Sequence, residues 1–221
     1  MGPVDTRGVS LVLVLLLLAG CTRTVDDARP LRERSVAPIA ASQIEDLLSK
    51  SAQGGEDAGT SLFATVTPDA CAGVVEEVRA PFVFDAEPVA HTGGYTYDDT
   101  VEPPGNIVEI VGVYHSDFDP GAAIEMAEHT IEACSDDKLT ATTSGGDKSE
   151  YGVRPRSDSG SAQIVLWSLT DLSGWACDNA FVAAHNAAIE ITVCGEGNGY
   201  DVLTLARDAL KRIETLANAT T

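Results

Sequence analysis

Positive charge is scarce in this chain. Its 221 residues hold 14 Lys and Arg against 34 Asp and Glu, a formal net charge of −20. No basic stripe is available to neutralise a phosphate backbone, so nucleic acid is excluded as a partner. Catalytic signatures are scarce as well. The four histidines, His91, His115, His129 and His185, form no H-E-x-x-H and no pair at ligand spacing. There is no G-x-S-x-G nucleophile elbow and no phosphate-cradling glycine loop. Tyr114-His115-Ser116-Asp117 carries the residue types of a hydrolase triad, but neighbours on a strand point to opposite faces and cannot converge. Asp98-Asp99 and Asp136-Asp137 match no EF-hand loop, and Glu125 and Glu128 fall on a solvated helix flank. No catalysis, cofactor or metal is expected.

Long apolar runs are also missing, apart from one short run near the amino terminus. Val9 to Leu18 is apolar for about ten residues, which as a helix spans only ~15 Å of a ~30 Å hydrocarbon layer. That length suits a secretory signal better than a permanent span. The run ends Leu18-Ala19-Gly20-Cys21, which resembles the lipobox of bacterial lipoproteins. Small residues at 19 and 20 let an extended chain enter a peptidase, and the Cys21 thiol accepts the lipid. Residues 1–20 are therefore expected to be a signal peptide. Cys21 is the expected lipid anchor at the outer face of the cell membrane, and residues 21–41 a tether broken by Pro30 and Pro38. Arg23, Arg29, Arg32 and Arg34 outweigh Asp26, Asp27 and Glu33 in the tether, so the acidity belongs to the domain at 42–221. Hydrophobic residues make up 44 % of the whole chain, a composition that suits a globular domain.

Periodicity supplies its elements. Ser42-Gln43-Ile44-Glu45 fits a capping box ahead of a short helix with Ile44, Leu47 and Leu48 on its apolar side. Residues 51–60 read as an acidic, Gly-containing loop. Thr67-Pro68 predicts a helix to about Val78, with Cys71, Val74, Val75 and Val78 on one face. Strands are predicted at Val89–Tyr97 and Ile107–Tyr114. Asp119-Pro120 opens a helix burying Ile124, Ala127, Ile131 and Cys134. Further strands are predicted at Leu139–Thr143, Gln163–Leu169, Trp175–Ala184 and Ala187–Cys194. A last helix from about Asp201 to Ala217 carries the stripe Leu203, Ala206, Leu210, Ile213, Ala217. The expected class is α+β, an antiparallel sheet with helices mainly on one face. The two tryptophans, Trp167 and Trp175, both fall on strands and read as core; Asn186 falls at a tight turn, where Asn tolerates positive φ.

Four cysteines remain beside Cys21, and an even number in an exported chain predicts two disulfides. Residues 177 and 194 are symmetric about His185–Asn186. If those two residues make a hairpin turn, Cys177 faces Cys194 in a non-hydrogen-bonded pair, where Cα atoms approach to ~4.5 Å. Cys71 and Cys134 are left to staple two helices. A four-cysteine zinc site is disfavoured because no close C-x-x-C pair exists.

The Gly174-Trp175-Ala176-Cys177 segment, the run His185-Asn186-Ala187-Ala188-Ile189-Glu190-Ile191-Thr192-Val193-Cys194 and the terminal amphipathic helix together resemble the extracellular sensor domain of PknH-type actinobacterial serine/threonine kinases. That domain also occurs free-standing in lipoproteins. The resemblance covers about residues 40–217. It implies two disulfides bracing an antiparallel sheet, and a cleft for an unidentified ligand. The chain departs from it at Ile131, where the family often has Trp, at His185-Asn186, often paired Asn, and at Glu190, often Asp. No kinase domain fits in the chain. The expected role is a lipid-anchored binding or sensory domain for a small envelope ligand or a partner protein, with Trp175 and Asn186 as candidate ligand-binding residues. The rivals are a structural envelope lipoprotein and an envelope hydrolase.

Overall fold

A computed structural model describes residues 38–59, 61–99, 104–136, 138–157, 159–197 and 199–219. The expected signal peptide, the expected anchor Cys21 and the expected tether up to residue 37 lie outside the described residues. Among the described residues, nine strands form one antiparallel sheet in the order β1-β3-β4-β9-β8-β7-β6-β5-β2. They are β1 Glu56–Asp57, β2 Phe63–Thr67, β3 Ala90–Asp98, β4 Gly105–Val113, β5 Lys138–Thr143, β6 Lys148–Arg156, β7 Ile164–Asp171, β8 Trp175–Ala184 and β9 Ala187–Glu196. Two long helices pack on it, α3 Pro120–Ser135 and α4 Val202–Ala219. Short helices are α1 Lys50–Gln53, α2 Pro81–Phe84 and 3-10 turns at Ala41–Leu47 and Asp69–Val74.

The α+β class, the antiparallel pairing and both disulfides match the sequence reading. The helices, however, divide between the two faces instead of gathering on one. Along β8, Cys177, Phe181 and Ala183 join a core with α3, α2 and the Asp69–Val74 turn. The alternate residues Ala180, Val182 and Ala184 join a second core with α4 and the Ala41–Leu47 turn. A strand covered on both sides reads as a continuous apolar run, which is how β8 looks in sequence. On the second face the contact is made by small residues. Ala206, Ala209 and Ala217 of α4 are fully buried against a sheet surface that includes Ala180 and Ala187. Small side chains let the helix lie close to the strands.

The β8–β9 hairpin has the predicted register, Ala184 opposite Ala187 and Cys177 opposite Cys194. The Cys177–Cys194 bond spans a Cα–Cα distance of 4.1 Å, and Cys71–Cys134 spans 5.9 Å. The left-handed turn residue is His185, φ 53°, and not Asn186 as expected. The predicted helix at 67–78 is replaced by β2, a cis Thr67–Pro68 bond and the 3-10 turn. Cys71 and Val74 recur at a spacing of three, which a 3-10 turn satisfies as well as an α-helix. The 42–48 helix is also 3-10 and starts at Ala41. The Gln43 side chain accepts from the Ala40 N–H at 2.9 Å, so the Ser42 capping box does not form. Residues 51–60, read as loop, contain the end of α1 and the two-residue β1.

Candidate functional site

The face carrying α3 holds a cleft of about 280 Å³. The edge of its mouth is set by a strap, residues 75–80, which joins the Asp69–Val74 turn to α2. The strap is tied at several points. Trp167, fully buried, donates its indole N–H to Val74 O at 2.9 Å. Ser61 Oγ accepts from the N–H groups of Val78 and Arg79 at 3.2 and 3.0 Å. Leu62 N–H donates to Glu77 Oε1 at 2.6 Å. The Cys71–Cys134 bond fixes the turn before the strap to α3.

The floor comes from the sheet. Val108 of β4, Cys177 of β8 and Thr192 and Cys194 of β9 line it, so the hairpin disulfide is part of the wall. Tyr95 and Asn106 close one side, the Tyr95 hydroxyl donating to Asn106 Oδ1. Trp175 stands at the other. The turn before it is organised by Asp171, whose Oδ1 accepts from Ser173 N–H at 2.8 Å and Trp175 N–H at 3.0 Å. Gly174 supplies the φ of 95° that this turn requires. Trp175 is thus a half-buried wall residue of the cleft, whereas Trp167 is core.

Two acids on this face were not singled out as a pair from the sequence. Glu77 lines the cleft, and its Oε2 is buried with no hydrogen-bond partner. Glu190 is 2 % exposed, and its Oε2 also lacks a partner. It lies two residues from Thr192 on the same face of β9. Burial pushes both carboxyls up, well above the ordinary range for Glu190, and the Glu77 charge adds to that rise. The backbone N–H of Leu62 partly offsets the rise at Glu77.

Buried acids elsewhere are provided for. Glu109 accepts from Ser49 N–H at 2.7 Å and from Arg212 at 3.3 Å, and Arg212 also donates to Leu47 O. Asp178 accepts from the Ser168 hydroxyl and from Gly199 and Tyr200 N–H, with Arg156 3.8 Å away. Those groups bind the ends of α1 and α4 to the sheet. By contrast, Glu77 Oε2 and Glu190 Oε2 are left without a hydrogen-bond partner.

Asn186 stands apart from the cleft lining. Its side chain accepts from Ile39 N–H at 2.8 Å and donates to Ile39 O at 3.0 Å and Tyr114 O at 2.9 Å. Ile39, placed in the tether by composition, is thereby buried. The His115-Ser116-Asp117 side chains are exposed, while Tyr114 is buried, donates to Val83 O at 2.7 Å and stacks on Phe118. Among the described residues, no group of three His, Cys, Asp or Glu side chains is placed to hold a metal ion.

The fold has a solved relative. The crystal structure of the extracellular domain of PknH from Mycobacterium tuberculosis superposes with a TM-score of 0.62 at 16 % identity, covering 83 % of this chain and 99 % of that one. CalU16 from Micromonospora echinospora overlaps 59 % of this chain and 88 % of its own at a TM-score of 0.29 and 8 % identity, too distant to carry an argument. No curated protein matches the sequence. The family model described as the PknH-like extracellular domain matches residues 26–212, and the chain belongs to that family.

Proposed function

We propose that the protein is a lipid-anchored, extracytoplasmic binding or sensory domain whose ligand enters the Trp175 cleft, and that it performs no catalysis. The observation that carries this reading is the cleft itself, an apolar concavity walled by a tryptophan, a disulfide and a rigid strap, with a few polar groups converging on it. The lipobox-like Leu18-Ala19-Gly20-Cys21 supports anchorage at Cys21. Among the described residues no helix is long and apolar enough to cross a membrane. A thermal-shift screen against envelope lipids and cell-wall fragments tests the binding role. The expected result is a stabilised protein for at least one class and loss of the shift in Trp175→Ala. Flat shifts across the screen would replace a small ligand with a partner protein.

A further inference from the structure

The cleft offers a ligand hydrogen bonds but no charge. Its described lining contains neither Lys, Arg nor His. Its one carboxylate, Glu77, accepts from Leu62 N–H through Oε1, and its Oε2 is sealed within the protein. Two uncharged polar groups remain, on adjacent strands. Thr192 of β9, 4 % exposed, lies in the floor opposite Val108 of β4, one residue pair of the same face away from Asn106 opposite Cys194. Among the described residues the Thr192 hydroxyl has no hydrogen-bond partner, and it is not one of the sealed oxygens, which belong to Glu77 and Glu190. The Tyr95 hydroxyl occupies Asn106 Oδ1, so the amide N–H₂ is the open end of that side chain. The remaining wall is apolar and aromatic, with Phe63, Val75, Val108 and Trp175. A volume of about 280 Å³ lies at the low end of ligand pockets, which run from about 300 to 1,000 Å³.

Resting on the reading of the cleft as a binding site, we infer that its ligand is a small uncharged molecule with an apolar body and a carbonyl oxygen. The oxygen accepts at the corner formed by Thr192 and Asn106, and the body lies against Trp175 and Phe63. Buried polar groups are normally paired, and an unpaired hydroxyl in a cleft floor is one that a ligand can complete. The Asn106 amide nitrogen donates only, and the Thr192 hydroxyl can donate, so the group that suits both is an acceptor. A charged ligand finds no counterpart. A carboxylate would lose its hydration with no cation to replace it, and the net charge of −20 repels it at long range. An ammonium would exchange water for aromatic faces, which replace only part of its hydration. Where this fold does bury a charge it surrounds it with donors, Ser168, Gly199 and Tyr200 at Asp178, and Ser49 and Arg212 at Glu109. The described lining of the cleft holds no such set for a ligand's charge.

Four probes that share one ring and differ in the attached group test the inference: acetophenone, cumene, benzoate and 1-phenylethylammonium. Each is titrated into the purified protein and followed by the indole N–H resonance of Trp175. Acetophenone is expected to bind about tenfold more tightly than benzoate or 1-phenylethylammonium. Thr192→Val, which removes the hydroxyl and keeps the branched shape, is expected to weaken acetophenone about fivefold and to leave cumene unweakened, because cumene has no acceptor. Binding of either charged probe as tight as that of acetophenone overturns the inference and leaves the cleft reading standing. So does acetophenone affinity that T192V leaves unchanged or lowers only in parallel with cumene. In the unaltered protein acetophenone is expected to shift the Asn106 side-chain amide resonances further than cumene does, and equal shifts overturn the carbonyl contact even where T192V folds poorly. No shift of the Trp175 indole by any of the four, at millimolar concentration or at saturation for cumene, overturns both the inference and the cleft reading.

Discussion

Arg212 and Glu109 show what one pair of side chains contributes when nothing else can replace it. Glu109 is 1 % exposed, so truncating Arg212 strands a charge away from water. Arg212→Ala is expected to cost about 3–5 kcal/mol in urea unfolding, and Arg212→Met with Glu109→Gln clearly less, because the second pair leaves no buried charge. Equal losses for the two variants would contradict this. Asn186 is the other local anchor, with three side-chain bonds to Ile39 and Tyr114. Asn186→Ala is expected to cost about 1–3 kcal/mol and to speed hydrogen exchange at the Ile39 amide. Glu190 behaves in the opposite sense. Its folded carboxyl is held above the unfolded value, so the native state binds the extra proton. Its contribution to stability is fully present below the unfolded value near 4.5 and is lost as pH rises toward the raised folded value. Glu190→Gln should therefore gain stability relative to the parent at pH 8, with the gain shrinking toward pH 5. A gap independent of pH would show that Glu190 is not buried as described.

At the scale of elements, the β8–β9 hairpin was fully legible. Two cysteines symmetric about a two-residue turn fix the register, and a one-residue slip would turn Ile189, Ile191 and Val193 to the other face. Helix α3 was legible from Asp119-Pro120, and Asp119 caps it as expected, accepting from the Gly121 and Ala122 N–H groups. Strands β2 and β6 were not legible. In β2 only Phe63 and Val66 are buried, a spacing that does not alternate, and β6 carries Pro155 and charged residues over a short apolar pair, Tyr151 and Val153. Their pairing is decided by neighbouring strands, which a local pattern does not contain. Of the site, Trp175 was visible in the Gly-Trp-x-Cys segment. Glu77 was not, because an orphaned oxygen is a property of the assembled cleft. The disulfides act at this scale too. In the chain-entropy model the 63-residue separation of Cys71–Cys134 is worth ~4 kcal/mol and the 17-residue separation of Cys177–Cys194 ~3 kcal/mol. Replacing Cys71 and Cys134 by Ala should cost the larger amount and loosen the strap that carries Glu77. A larger loss from the hairpin pair would reverse that ranking. The close packing of α4 makes a complementary prediction: Ala209→Leu should destabilise by about 1–3 kcal/mol through overpacking.

Across the whole molecule, an acidic domain is proposed to stand outside the membrane on a tether that starts at Cys21. Cys21→Ala is expected to move the protein from the membrane pellet to the soluble fraction, and undiminished membrane retention would contradict the anchor. The central claim is that the cleft is where this domain meets its ligand, and its two tryptophans make the most direct test. Trp167 is sealed in the core with its indole bonded to Val74, and Trp175 lines the cleft. Titrating an envelope extract into isotope-labelled protein reads both indole N–H resonances in one spectrum. The account predicts a saturable shift at Trp175, shared by Thr192 and Val78, with Trp167 unmoved. A saturable shift confined to residues away from the cleft, with Trp175 unmoved, would contradict it.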